Sequence, residues 1–268
     1  MRIRLRHEIV RVYEPAAQSV IQLLRVTPRN HEGQHVYDWR IDLDRSARLV
    51  QSEDAFGNLT HTFTVDGPLE AMTIVVEGEV ETQDTAGIVR AAIERLPPAL
   101  FLRQTETTRP SPAIVELAET IRASEGGDCL SELHALLASV HDRAAADQAS
   151  GKAVVATRAA RAEELAQTFI AAARHLGHPA RFVAGYVAPG EADAAGERRG
   201  WAEAFVERLG WVGFDPVEKL CATESHIRVA VALDALGAAP LRSGIYGGSA
   251  ETDRDRLRLE EIRKRRPA

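Results

Sequence analysis

The chain has 268 residues, enough for two small cores or one large one, with 27% charged side chains and a formal net charge of −6. That balance argues against a globally basic nucleic-acid binder, and no apolar run reaches transmembrane length, so neither nucleic acid nor a membrane is an expected partner. Two cysteines, Cys129 and Cys221, supply neither a disulfide framework nor a metal motif, and no cofactor is expected. The first residues alternate basic and apolar side chains, which fits a strand better than a leader. Together these features point to reduced, partly buried thiols and a cytoplasmic protein. With only three Trp and four Tyr, much of the core must be Ala, Leu and Val.

Residues 1–83 read mainly as β-structure. Ile3, Leu5, His7 and Ile9 share one parity against Arg2, Arg4, Arg6 and Glu8, the period of a strand with one wet face. A second strand is expected over 19–27, ended by Pro28-Arg29-Asn30. A third covers 36–44, where Tyr37, Trp39, Ile41 and Leu43 oppose Val36, Asp38, Arg40 and Asp42. Gly57-Asn58 marks a tight turn before an alternating run at 59–65, and a last strand covers 72–82. Several short strands separated by turn signals predict an antiparallel β-sandwich.

Pro97, Pro98, Pro110 and Pro112 bracket a linker, which places a domain boundary near residue 100. Helices follow over 112–123 and 129–145; in the second, Leu130, Leu133, Leu136 and Leu137 share a face. The strongest helix signal is 163–176, with Leu165, Phe169 and Leu176 as its apolar stripe, Gly177 just past its end and Pro179 beyond. Strands are expected at 181–186, 201–206 and 210–214, with a polar loop or hairpin over 187–200. The stretch 251–266 interleaves Arg with Glu and Asp and reads as a solvated, frayed helix in a charged tail.

The segment from Ala162 to Arg174 resembles the motif C-x-D-x-A-x-x-F-I-A-A-x-R of bacterial transglutaminase-like proteins, a branch of the papain-like cysteine fold. Phe169-Ile170-Ala171-Ala172 and Gly177-His178-Pro179-Ala180-Arg181 fix the frame. A second motif, H-A-W-x-E, matches Arg199-Gly200-Trp201-Ala202-Glu203, and a third, G-W-x-x-F-D-P, matches 210–216. The segment 225–248 is similar to the family's R-H-V-x-V-A run and the residues after it, and the β-rich start resembles the domain that often precedes this core. The resemblance covers about 1–248 and implies an α+β chain. Its expected parts are a β-rich N-terminal domain over 1–100, a core domain over 101–250 with helices packed on an antiparallel sheet, and a tail over 251–268.

The resemblance also implies which residues should do chemistry. Cysteine acyl transfer needs a thiolate at a helix N-terminus, a His to pair with it and an acid to orient the His. The matching positions here hold Ala162, Arg199 and Asp215. Ala has no nucleophilic atom, and Arg stays protonated, so it cannot act as a base. The expectation is a pseudoenzyme that binds a protein or peptide or assists assembly. An active paralogue or an ATP-grasp peptide ligase is the partner the resemblance suggests, with a homo-oligomer as a further option. The alternative is a cysteine-type peptidase or amide-transfer enzyme with a relocated or non-thiol active site, Cys129 and Cys221 being the candidate reactive thiols. Arg199 is expected to pair with Asp215. Arg198, Arg199, Trp201, Glu203 and Asp215 are candidate ligand contacts, the two arginines suiting a carboxylate or a peptide C-terminus. Glu163, Glu164, Glu203 and Asp215 form a weaker candidate acid–base cluster. The nine histidines show no metal-ligand spacing.

Overall fold

In the computed structural model, residues 1–150, 157–189 and 196–262 are described. Part of the expected 187–200 loop and the last residues of the expected tail lie outside them. The first strand, β1 (Arg2–Thr27), joins two stretches that the sequence separates. Strand β4 (Leu59–Thr82) does the same for the runs at 59–65 and 72–82. The two pair antiparallel along their length, with register shifts between Val12 and Ala17 and again near Ser19. These are bulges, which bend a strand pair without reversing it. The buried residues of β1 change from odd (Ile3, Leu5, Ile9) to even (Val20, Leu24, Val26) across the bend. A one-residue offset swaps the faces of a strand, so both halves keep apolar side chains turned toward one core.

Strand β2 (Gln34–Leu43) pairs with the later half of β4, and β3 (Val50–Glu53) with its earlier half. The alternation expected in β2 slips at its start. A register shift between Val36 and Asp38 leaves Tyr37 exposed and Val36 half-buried.

The second sheet has the order β10-β6-β7-β8-β5, with β9 also paired to β8. Its strands are β5 (Ile88–Val89), β6 (Ala180–Val187), β7 (Glu197–Val206), β8 (Gly210–Asp215), β9 (Leu220–Cys221) and β10 (His226–Ala232). Its earliest strand, β5, therefore precedes the boundary expected near residue 100. Phe101, in the 3-10 turn Pro98–Leu102, also packs edge-on to Trp211.

Helices α1 (Pro112–Glu125), α2 (Cys129–Ala149) and α3 (Arg158–His175) each start at a side-chain cap, from Ser111, Asp128 and Thr157 respectively. Helix α3 packs on β6 and β7. Fully buried Ala166, Ala172 and Ala173 suit a close approach, and Phe169 stacks on Phe214 with ring centroids 5.2 Å apart. At the other end of α3, buried Arg174 donates to the carbonyls of Ala180 and Leu233 and to the Thr108 hydroxyl, tying helix to sheet.

The charged C-terminal stretch corrects the expectation of a helical tail. Leu241–Tyr246 (β11) pairs with the second half of β1, and Ala250–Glu261 (β12) pairs with the first half. The N-terminal sheet is thus completed by the end of the chain. Leu257 and Leu259 join its core, while Arg254, Arg256, Arg258 and Glu260 lie on the outer face. The dense charge conceals a period of two, and charge on an exposed edge strand discourages further pairing.

Two buried amides dock the N-terminal sheet onto the core domain. Gln34 accepts from the Arg228 N–H (2.8 Å) and donates to the Arg228 carbonyl (2.9 Å). Asn58, held in its turn by Asp54, does the same with Val231 at 2.8 and 2.7 Å. Each amide presents a donor and an acceptor as a neighbouring strand would, so backbone groups of β10 are satisfied without one.

Candidate functional site

The three positions matched to the family's catalytic residues lie on α3, β7 and β8. Ala162 is buried and sits in the second turn of α3. The helix starts at Arg158, earlier than the sequence suggested, because Thr157 caps the first turn and accepts from the Ala160 N–H at 3.1 Å. Position 162 is therefore inside the helix, away from the unpaired N–H groups that would stabilise a thiolate.

Arg199 lies near the start of β7 with 2% of its side chain exposed, and Asp215 ends β8 with none exposed. The expected pair is present: Arg199 Nη1 donates to Asp215 Oδ2 at 2.7 Å. The other two nitrogens are also engaged. Nε donates to Glu197 Oε1 at 2.6 Å, and Nη2 pairs with Glu197 and, at 2.9 Å, with Glu218. Arg158, from the first turn of α3, bonds the same Glu197 at 3.1 Å. Burial alone would lower the Arg199 pKa, but the Asp215 and Glu197 carboxylates outweigh it and hold the guanidinium above its ordinary value.

Asp215 has two further partners. Its Oδ1 accepts from the Val217 N–H at 2.9 Å, and its Oδ2 lies 3.1 Å from His226 Nε2. The Thr223 N–H donates to His226 Nδ1 at 3.1 Å, so the ring proton is on Nε2 and points to Asp215. Both ring nitrogens are thereby used. Burial would raise the Asp215 pKa, but the His226 hydrogen bond and the Arg199 charge hold it below the usual carboxylate range. His226 had no role on sequence grounds. The available signal was its place on the histidine of the R-H-V-x-V-A match.

Trp201 is 2% exposed and meets His226 edge-on at 5.2 Å. Glu203 is fully buried between two cations: Arg181 donates to it at 2.7 Å, as does Arg228 Nε, while Arg228 Nη2 bonds it at 3.2 Å. Burial would raise its pKa, but the two arginines pull it down to about 2. Arg198 pairs with Asp255 of β12 at 3.1 Å. Of the five candidate ligand contacts, Arg199, Trp201, Glu203 and Asp215 are buried, and Arg198 stays 38% exposed beside Asp255. The expected carboxylate cluster divides as well, with Glu163 and Glu164 exposed on α3 and Glu203 and Asp215 buried against arginines. The cavity beside Arg198, Arg199 and Glu163 measures about 30 Å3, far below the ~300 Å3 of a typical organic-ligand site.

Both thiols are free and half-buried. Cys129 opens α2, but burial, aided by Glu132 and Asp128, pushes its pKa up. Cys221 pairs with Phe214, one residue from Asp215 along β8, and burial pushes its pKa up too. Among the described residues neither sulfur has a histidine partner, and no group of three or more acids, Cys or His could hold a metal ion.

Residues 3–81 match the family model of the bacterial transglutaminase-like N-terminal region, and residues 114–216 match the transglutaminase-like superfamily core. The chain belongs to the transglutaminase-like superfamily. It is 27% identical to an uncharacterized protein of Mycobacterium leprae, ML0607, over 95% of this chain and 96% of that one. Its fold is that of a candidate cysteine protease from Cytophaga hutchinsonii, with a TM-score of 0.69 and 15% identity over 99% of this chain and 92% of that one. The periplasmic domain of TgpA from Pseudomonas aeruginosa overlaps less well, with a TM-score of 0.33 and 13% identity over 79% of this chain and 87% of that one. No helix among the described residues is long and apolar enough to cross a membrane.

Proposed function

We propose that this transglutaminase-like chain is catalytically inert and serves as a protein- or peptide-binding partner in assembly. The observation that carries this reading is Arg199. It occupies the position matched to the catalytic base, and all three of its nitrogens are held by carboxylates. Ala162 offers no nucleophile, and His226 has no free ring nitrogen to accept a proton. Acyl transfer at this site lacks both the attacking atom and the group that would activate it. The partner is a protein or peptide, with an active transglutaminase-like relative or an ATP-grasp peptide ligase as the first candidates. Two unpaired thiols suit a reducing compartment, so we place the protein in the cytoplasm.

The test pairs an activity assay with a binding assay. Purified protein is expected to show neither peptide hydrolysis nor amine incorporation above background, and to co-elute with one of the candidate partners. Turnover that persists in the Cys129→Ala/Cys221→Ala variant would overturn inertness. Turnover lost in that variant would establish a relocated thiol site. Failure to co-elute with either candidate would remove the assembly role assigned to that pairing.

A further inference from the structure

Strands β11 and β12 follow one another along the same edge of β1, and they differ in character. On its outer face β12 presents Arg254, Arg256, Arg258 and Glu260, whereas β11 carries a single charge, Arg242. The opposite edge of the sheet is guarded too: β2 alternates Asp38, Arg40 and Asp42, and β3 has only four residues. Charge is a common protection of an edge strand against further pairing, and β11 has the least of it.

The register shows which backbone groups this edge offers. The Arg25 N–H donates to the Pro240 carbonyl at 2.8 Å. Hydrogen-bonded pairs recur at every second residue of an antiparallel ladder, so Arg242, Gly244 and Tyr246 also spend their backbone groups on β1. The N–H and C=O groups of Leu241, Ser243 and Ile245 therefore point away from β1. No strand among the described residues pairs with them.

The side chains beside that edge are apolar and open. Directly opposed residues share a face of the sheet, which sets Tyr246, Gly244 and Arg242 beside Ser19, Ile21 and Leu23 on the outer side. Ile21 is 53% exposed and Tyr246 is 70% exposed. A Cβ on Gly244 would meet nothing within 4 Å, so the middle of the strand is an empty shelf. Neither Arg242 nor Tyr246 has a side-chain hydrogen bond, ion pair or ring contact among the described residues.

We propose that β11 pairs antiparallel with β11 of a second copy about a two-fold axis at Gly244, joining two N-terminal sheets into one. Complementarity selects both the occupant and the register. With the axis at Gly244, Ser243 of one copy exchanges backbone hydrogen bonds with the partner's Ile245, and Ile245 with the partner's Ser243. Arg242 then lies directly opposite the partner's Tyr246, in the non-hydrogen-bonded position where side chains come closest. The guanidinium covers the ring, and the symmetry makes that contact twice. An axis at Ser243 would instead set Arg242 against a glycine and leave both tyrosines uncovered. At the axis Gly244 meets its own mate, with no side chain on either to crowd the approach. Such pairing is independent of whether the vestigial cleft is inert.

The experiment is sedimentation of the full-length protein from roughly 1 μM to 1 mM, the range in which a short-strand interface associates, with amide exchange followed at low and high concentration. Wild type is expected to pass from monomer to dimer. The Ser243 and Ile245 N–H groups should exchange more slowly at the higher concentration, while those of Arg242 and Gly244, already bonded to β1, keep their rates. Tyr246→Arg sets like charges opposite each other twice and should weaken association roughly tenfold or more. Arg242→Glu/Tyr246→Arg puts opposite charges in the same places and should restore it. Protein that stays monomeric throughout leaves the edge to solvent or to another chain, and overturns the proposal. A dimer that ignores Tyr246→Arg, or whose Ser243 and Ile245 exchange does not slow, uses another face and overturns it too. A double variant as weak as Tyr246→Arg removes the register at Gly244, and the pairing with it. Should Tyr246→Arg not fold, the wild-type exchange at Ser243 and Ile245 decides.

Discussion

Replacing Arg199 by Met removes the cation of a buried pair and leaves the Asp215 carboxylate among apolar neighbours, with His226 and the Val217 N–H as its remaining partners. With side chains 2% and 0% exposed, solvent cannot substitute for the lost guanidinium. Breaking such a pair by deleting one member destabilises by about 3–5 kcal/mol. For a chain of this size that corresponds to a drop of roughly 6–20 °C in Tm. The pH dependence has a definite sign. Asp215 is held below its ordinary value in the folded protein, so its contribution is present above the unfolded pKa and is lost as pH falls through the folded one. In Arg199→Met the carboxylate pKa rises, because one of the groups that lowered it is gone, and protonation relieves the buried charge. The stability gap from wild type should therefore be widest near pH 7 and shrink toward about pH 4. Thermal and urea melts at the two pH values measure it. Adding Asp215→Asn to Arg199→Met should recover most of the loss at neutral pH. A single variant within about 1 kcal/mol of wild type at pH 7, or a gap that widens on acidification, would refute the buried-pair account.

Asn58→Leu strips the Val231 N–H and carbonyl of their partners; we expect a loss of about 2–4 kcal/mol and faster amide exchange at Val231. Unchanged exchange there would show that the turn does not hold the domains together. Leu259→Ala should destabilise by about 2–3 kcal/mol and speed exchange at Leu5, its partner on β1. Protection unaffected at Leu5 would mean that β12 is only loosely attached. Because burial raises both thiol pKa values, Cys129 and Cys221 should react with a disulfide reagent near pH 7 more slowly than free cysteine. A faster rate at either residue would reopen the relocated-thiol reading.

The sequence by itself determined the α+β class and the family, and set Arg199 and Asp215 at the matched motif positions. Those followed from local signals: strand parity in Ile3-Leu5-His7-Ile9, the small-residue face of α3, and ordered motifs whose spacing survives when their chemical groups do not. It did not determine what lies opposite each residue. The fused strands β1 and β4 depend on bulges, and a bulge and a turn leave similar interruptions in a sequence pattern. The placing of β12 on β1, from the opposite end of the chain, was hidden because its apolar face has few residues and its charges also suit a solvated helix. Tertiary structure alone decided that Glu203 sits between Arg181 and Arg228, that Asp215 is shared with His226, and that Gln34 and Asn58 dock on β10. Each is a contact between separate elements, fixed by packing and by the need to pair buried polar groups, and none leaves a periodic trace along the chain.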